Sequence, residues 1–162
     1  MSLEYVFNKG ETYSVKSVPL MLAERFIANI EQTDKVVLTD SQAAGYLAQF
    51  VIAHSYKLSE PTEQSRFDRY DFLIHGKEVD MKTSLYNAPA LIIDANKLED
   101  ADVFLLFNTY LGNTVTFIGG TTQARILQNL KIAVLNGKRV IIIPAEELTS
   151  IKIDALGVEE YV

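Results

Sequence analysis

Asp71-Phe72-Leu73-Ile74-His75-Gly76-Lys77-Glu78-Val79-Asp80-Met81-Lys82-Thr83-Ser84 is two alternating runs set around a glycine. Successive side chains of a strand point to opposite faces. If the two runs pair as a hairpin, Asp71, Leu73 and His75 share a face with Glu78, Asp80 and Lys82. Phe72, Ile74, Val79 and Met81 then face a core on the other side. A two-residue Gly76-Lys77 turn with glycine in first place suits type II′. That register sets Asp71 opposite Lys82 and diagonal to Asp80, within cross-strand reach. Two carboxylates and one ammonium converge.

Such a cluster suits metal-dependent phosphodiester hydrolysis. Two carboxylates bind Mg²⁺ through hard oxygens and leave positions for water and a phosphate oxygen. The metal makes a bound water more acidic and offsets charge on the phosphate, while a lysine positions the water or stabilises the transition state. The tripeptide acid-any-lysine has no weight alone: with 21 acids and 10 lysines, about one match is expected by chance. Geometry alone leaves equally open a solvated strand face carrying a cross-strand ion pair.

Outward from the hairpin, the pattern is mixed α/β. On the N-terminal side, Leu3 to Phe7 reads as a strand and Thr12 to Val15 as its return strand. Val18 to Ile30 and Ala43 to Leu58 carry helical apolar periodicity, the second with Asp40 or Ser41 as N-cap. Lys35 to Leu38 is a short strand or a connector. Beyond the hairpin, Ala90 to Ile93 is a strand and Asn96 to Asp100 a turn or short helix. Val103 to Tyr110 and Thr114 to Ile118 form a hairpin about Leu111-Gly112-Asn113. A Thr-capped helix runs from Thr121 to Leu130, Arg139 to Ile143 is a strand, and Pro144 to Leu148 begins a helical turn.

The chain has 162 residues, 48% of them hydrophobic, and a net charge of −6, which fits one globular domain able to bury its own core. There is no cysteine, so disulfide frameworks, thiolate zinc sites and cysteine nucleophiles are excluded. His54 and His75 are too few for a multi-histidine metal site. The opening Met-Ser-Leu-Glu-Tyr has neither the basic patch nor the apolar run of a signal peptide, and no apolar run is long enough for a membrane span. A cytoplasmic protein is expected. The acidic balance disfavours coating nucleic acid by bulk charge but permits a local phosphate site.

Asp71, nine residues, then Asp80-Met81-Lys82-Thr83-Ser84 resembles the PD-(D/E)xK nuclease superfamily, the restriction-endonuclease-like fold. Ala90-Leu-Ile-Ile, Lys97 to Phe104, Val115 to Thr122 and Val140 to Leu148 are similar to small phage and bacterial members, so the resemblance spans residues 40 to 150. It implies an α/β fold with a mixed sheet flanked by helices in an αβββαβ core. It further implies a Mg²⁺-dependent endodeoxyribonuclease, with Mn²⁺ as a substitute. Asp71 and Asp80 would ligate metal together with the Met81 carbonyl, and Lys82 would be the catalytic lysine. Two departures stand out. Gln42 sits where many relatives carry a helix glutamate, leaving it an auxiliary role, and Tyr70 replaces the proline usual before the first acid. The alternative is a nuclease-fold protein without turnover that binds DNA or a protein.

Further substrate contacts are expected from Ser84, Gln123 and Arg125, with Thr121, Thr122, Tyr86 and Asn87 near the phosphodiester backbone. Lys57, Arg66, Arg69 and Lys77 would supply a local basic rim. Gly119-Gly120 permits an unusual turn or a close backbone approach. Residues 1–38 are expected as an N-terminal extension that packs on the core or on the partner of a homodimer, and residues 39–162 as the nuclease-like domain.

Overall fold

Two helices form where the apolar spacing demands them. The computed structural model describes residues 3–85, 90–110 and 113–161. In it α1 spans Ser17–Asp34 and α2 spans Asp40–Tyr56. Helix α2 buries residues on more than one side, among them Ala44, Ala48, Phe50, Val51 and Ile52, because it is an inner layer; α1 covers its outer side. Phe26 of α1 meets Tyr46 and Phe50 of α2 edge-on, at ring distances of 5.1 and 5.5 Å. The N-cap of α2 is Thr39, not Asp40 or Ser41. Its hydroxyl accepts the Gln42 N–H at 3.2 Å while Gln42 Oε1 accepts the Thr39 N–H at 2.9 Å. This reciprocal box satisfies two amides at once, and the expected caps satisfy only one.

The strands are β1 (Tyr5–Phe7), β2 (Thr12–Ser14), β3 (Phe72–Ile74), β4 (Lys77–Leu85), β5 (Ala90–Asp94), β6 (Val103–Tyr110), β7 (Thr114–Thr122), β8 (Ile132–Leu135), β9 (Lys138–Pro144), β10 (Ser150–Asp154) and β11 (Gly157–Tyr161). Among the described residues they form three sheets. The central one has the order β2-β7-β6-β4-β3, and the smaller ones β1-β10-β11 and β5-β9-β8. Only the β4–β6 pair in the central sheet is parallel. The fold is mixed α/β, with a mixed sheet and helices. After α2, two strands pair antiparallel in the central sheet, and the third, β5, pairs with β9 instead.

Strand β6 lies at the centre, and its run Val103-Phe-Leu-Leu-Phe107 is buried on both faces, as a central strand requires. Val103, Leu105 and Phe107 join one core with α2, Phe7 and Ile151. Phe104 and Leu106 join a second core with Leu91, Ile93, Ile126 and Ile141.

Several expectations are corrected. β1 and β2 do not pair with each other: β1 pairs with β10 and β2 with β7, partners about 100 residues or more away. Residues 3–38 are thus woven into both the sheets and the first core. The helix after β7 is only α3, Gln123–Gln128, since β7 runs on to its cap Thr122. Pro144 to Leu148 gives a single 3₁₀ turn, Ala145–Glu147, and Asn96 to Asp100 lies in another, Ala95–Asp100. Gly119-Gly120 does serve a close approach. A Cβ on Gly119 would fall 2.6 Å from Leu148 Cβ, and one on Gly120 2.8 Å from Ile151 and Leu105 side chains. Gly120 and Thr149 exchange backbone hydrogen bonds of 2.8 and 3.0 Å there. Tyr86, Asn87 and the expected 111–112 turn lie outside the described residues.

Candidate active site

The hairpin forms with a different turn. His75 and Gly76 both have positive φ, 49° and 75°, as in a type I′ turn, whose twist matches that of the strands. The expected Gly76-Lys77 turn is therefore moved back by one residue. His75 Nε2 is held 2.7 Å from the Leu3 carbonyl oxygen, and its ring meets Tyr5 edge-on, contacts that fix the tip. Phe72 faces Val79 and Leu73 faces Glu78, so continuing the register sets Asp71 against Asp80 rather than Lys82. The shift changes partners but not faces: Phe72, Ile74, Val79 and Met81 are still buried in the first core.

Asp71 sits where β3 begins. Its N–H donates to the Val79 carbonyl at 2.9 Å. Its carboxylate then takes over the strand's bonding, with Oδ2 accepting the Met81 N–H at 2.7 Å and Oδ1 accepting from Gln49 Nε2. A backbone amide that would otherwise lose its partner as β3 ends is satisfied by a carboxylate. The Met81 carbonyl points to the same edge of β4, because N–H and C=O of one strand residue share a side.

Asp80 and Lys82 stand beside Phe104 and Leu106 of β6, on the face of the second core. Asp80 is largely covered there, while Lys82 reaches solvent. Lys82 Nζ lies 3.0 Å from Asp80 Oδ2, and the Asp80 side chain is 13% exposed. Burial first, and the Asp80 carboxylate second, push the Asp71 carboxyl up to about 7; the Met81 N–H and the Lys82 charge pull the other way. Two neighbouring acids in a partly dehydrated place disfavour double ionisation.

Two recesses flank these groups. The larger, about 740 Å³, is lined by Gln42, Gly45, Tyr46, Gln49, Asp71 and Lys82, among others. The smaller, about 190 Å³, is lined by Arg69, Asp80, Lys82, Lys97, Asp100 and Phe104, among others. Lys82 and Lys97 line both. Arg66, which also reaches the larger recess, is tied to Asp34 at 3.0 Å and Glu63 at 2.9 Å, and Arg69 to Glu78 at 3.1 Å.

Asp71, Asp80, Met81 and Lys82 are brought together, and Gln42 reaches the same recess with its oxygen engaged at the helix start. Ser84 is two residues beyond Lys82 on β4 and donates to the Leu85 carbonyl at 3.1 Å. Gln123 is not at the carboxylates: its amide donates to the carbonyls of Leu98 and Ala101, at 2.9 and 3.1 Å, and so anchors the crossover to β6. Arg125 pairs with Glu160 at 3.5 Å and, with Thr121, lines a different cavity of about 350 Å³ that includes neither carboxylate. Gln49, Tyr46 and Lys97 join the site unforeseen. Gln42, Tyr46 and Gln49 recur at i, i+4 and i+7, the spacing of one helix face, a signal present in the sequence. Lys97 had no such signal, since a crossover delivers it.

Among the described residues no three Asp, Glu, His or Cys side chains converge as a metal cluster. The available donors are the Asp71 and Asp80 carboxylates and the Met81 carbonyl, all hard oxygens. That set fits Mg²⁺, which binds through one or two carboxylates and keeps water and phosphate in its other positions. Two adjacent acids with one lysine also leave negative charge for a cation to offset. Among the described residues no helix is long and apolar enough to cross a membrane. No family model, curated protein or solved structure matches the chain.

Proposed function

We propose that the protein is a Mg²⁺-dependent endodeoxyribonuclease of the restriction-endonuclease-like type, with Asp71, Asp80 and Lys82 as its working groups. The observation that carries this reading is the mutual placement of Asp71 and Asp80 beside Lys82, with Asp71 lining one recess, Asp80 the other and Lys82 both. Parallel pairing of β4 with β6 after an antiparallel β3–β4 hairpin supports it. Asp71, Asp80 and the Met81 carbonyl would hold the cation. What Mg²⁺ or Mn²⁺ supplies when bound is Lewis acidity, which offsets phosphate charge and favours ionisation of water. Lys82 orients the attacking water and stabilises the negative charge that grows on the phosphate oxygens. Gln49 and the Met81 N–H hold the Asp71 carboxylate in one orientation.

The test is cleavage of plasmid and oligonucleotide DNA with Mg²⁺ or Mn²⁺. Asp80→Ala and Lys82→Ala are each expected to lower the rate by about 10²-fold or more, with melting temperature little changed. Wild-type cleavage by Asp80→Ala would overturn the assignment. A second reading, binding without turnover, is favoured by one observation: the α2 residue that reaches Asp71 is the neutral Gln49, not an acid. It predicts DNA or protein binding of equal strength with and without Mg²⁺.

A further inference from the structure

Gly45 stands in the middle of α2, where glycine costs helix stability relative to alanine. Nothing inside the chain demands it. Its φ is not positive, and a Cβ built there meets no atom within 4 Å. It does line the larger recess beside Tyr46, so the space a side chain would take is space in the recess. Val36, Leu38 and Met81 add apolar surface to the lining, among polar residues such as Ser41, Gln42 and Gln49. A volume of about 740 Å³ lies in the range of pockets that hold small organic groups, roughly 300–1,000 Å³.

The recess thus carries an aromatic and apolar patch beside polar groups that include Asp71 and Lys82, while Asp80 lines the smaller recess next to it. Lys97, which makes no ion pair among the described residues, brings positive charge to both recesses beside the Lys82–Asp80 pair. An aromatic residue and an apolar patch among hydrogen-bonding groups, next to cations, fit a base attached to its phosphate, and a base is free to enter only when it is unpaired. The charge inventory points the same way. Arg66, Arg69 and Lys82 are each paired with carboxylates and the net charge is −6, a poor match for a duplex, whose binding draws on many phosphate contacts. Binding of single strands draws more on stacking against aromatic side chains.

We propose that the substrate is single-stranded DNA, or an unpaired stretch of it, whose base enters the recess over Gly45 and stacks on Tyr46 while its backbone crosses Lys82 and Lys97. This rests on the hydrolytic reading for what happens next, but the binding claim is measured separately. Fluorescein-labelled single-stranded dT20 and a blunt hairpin duplex of equal length are titrated with wild-type protein, Gly45→Leu and Tyr46→Ala, followed by anisotropy at fixed salt without added metal. The single strand is expected to bind at least about tenfold tighter than the duplex. Gly45→Leu places a side chain in the recess beside Tyr46 and Tyr46→Ala removes the stacking partner; each is expected to weaken dT20 binding by roughly fivefold or more. Gly45→Ala serves as the folding control and is expected to raise the melting temperature.

Duplex binding equal to or tighter than dT20 binding would overturn the inference. So would no binding of dT20, or unchanged binding by both Gly45→Leu and Tyr46→Ala. Cleavage is scored in a parallel arm. Tight, variant-sensitive dT20 binding with no cleavage under Mg²⁺ or Mn²⁺ would remove the hydrolytic reading and keep this one. Cleavage of blunt duplex at the rate of single strand, lost in Lys82→Ala, would do the reverse.

Discussion

Asp71 has two jobs that pull against each other. Its carboxylate caps the end of a ladder by accepting the Met81 N–H, yet it does so half-buried and next to Asp80. Its carboxyl is raised from 3.8 to about 7, so the folded state holds this proton more tightly than the unfolded chain does. The resulting stabilisation is fully present below the ordinary carboxylate range and is lost as pH rises through about 7. Metal-free Asp71→Asn is therefore expected to melt higher than wild type at pH 8, with a flatter decline in melting temperature between pH 5 and 8 by differential scanning fluorimetry. An equal or steeper decline would mean that Asp71 is not the group responsible. Residue chemistry was legible here: acids and lysine on alternate positions of a β-like run declare their shared face whatever the turn. Their direct partners were not, because a one-residue move of the turn exchanges opposites and keeps faces. Nothing in Gly76-Lys77 as a dipeptide reveals that His75, anchored by Leu3 and Tyr5, would adopt positive φ in its place.

At the scale of elements, periodicity located α1, α2, β4, β6 and β9, since each buries a face or a run that the sequence spells out. β8 and β11 escaped for the opposite reason. All four residues of β8 are exposed, and β11 reads Gly157-Val-Glu-Glu-Tyr161 without alternation. Both exist because a neighbouring strand offers a hydrogen-bonding edge, a tertiary cause with no local signature. Ile151 and Ile153 in β10 do alternate, but Ser150-Ile-Lys-Ile-Asp154 is short enough to pass for a loop. The crossing of β7 under the segment before β10 depends on Gly119 and Gly120. Gly120→Ala forces a methyl against Ile151, Leu105 and the Phe104 carbonyl, and is expected to cost about 1–3 kcal/mol by urea denaturation. A cost near zero would mean the crossing has slack that the distances do not suggest.

Over the whole molecule, the first strands close the structure from the far end of the chain. Phe7 is fully buried in the first core, against Tyr56, Phe107 and Phe117, and its strand is held by β10. Such pairings join residues about 145 positions apart, which is why residues 1–38 read in sequence as an extension to the core. Phe7→Ala is expected to destabilise by about 3–5 kcal/mol and to shift one cooperative transition seen identically by far-UV circular dichroism and tyrosine fluorescence. Two transitions, with the second unmoved, would make the N-terminal part an independent unit. The charged centre lies where the central sheet meets both cores, so a cation bound there by native carboxylates must stabilise the entire fold by mass action. Metal-stripped protein at pH 8, titrated with Mg²⁺ and Mn²⁺ while its melting temperature is followed, tests this directly. Wild type is expected to melt progressively higher, with the rise lost in Asp80→Ala; a rise of equal size in Asp80→Ala, or none in wild type, would contradict a metal site at Asp71 and Asp80.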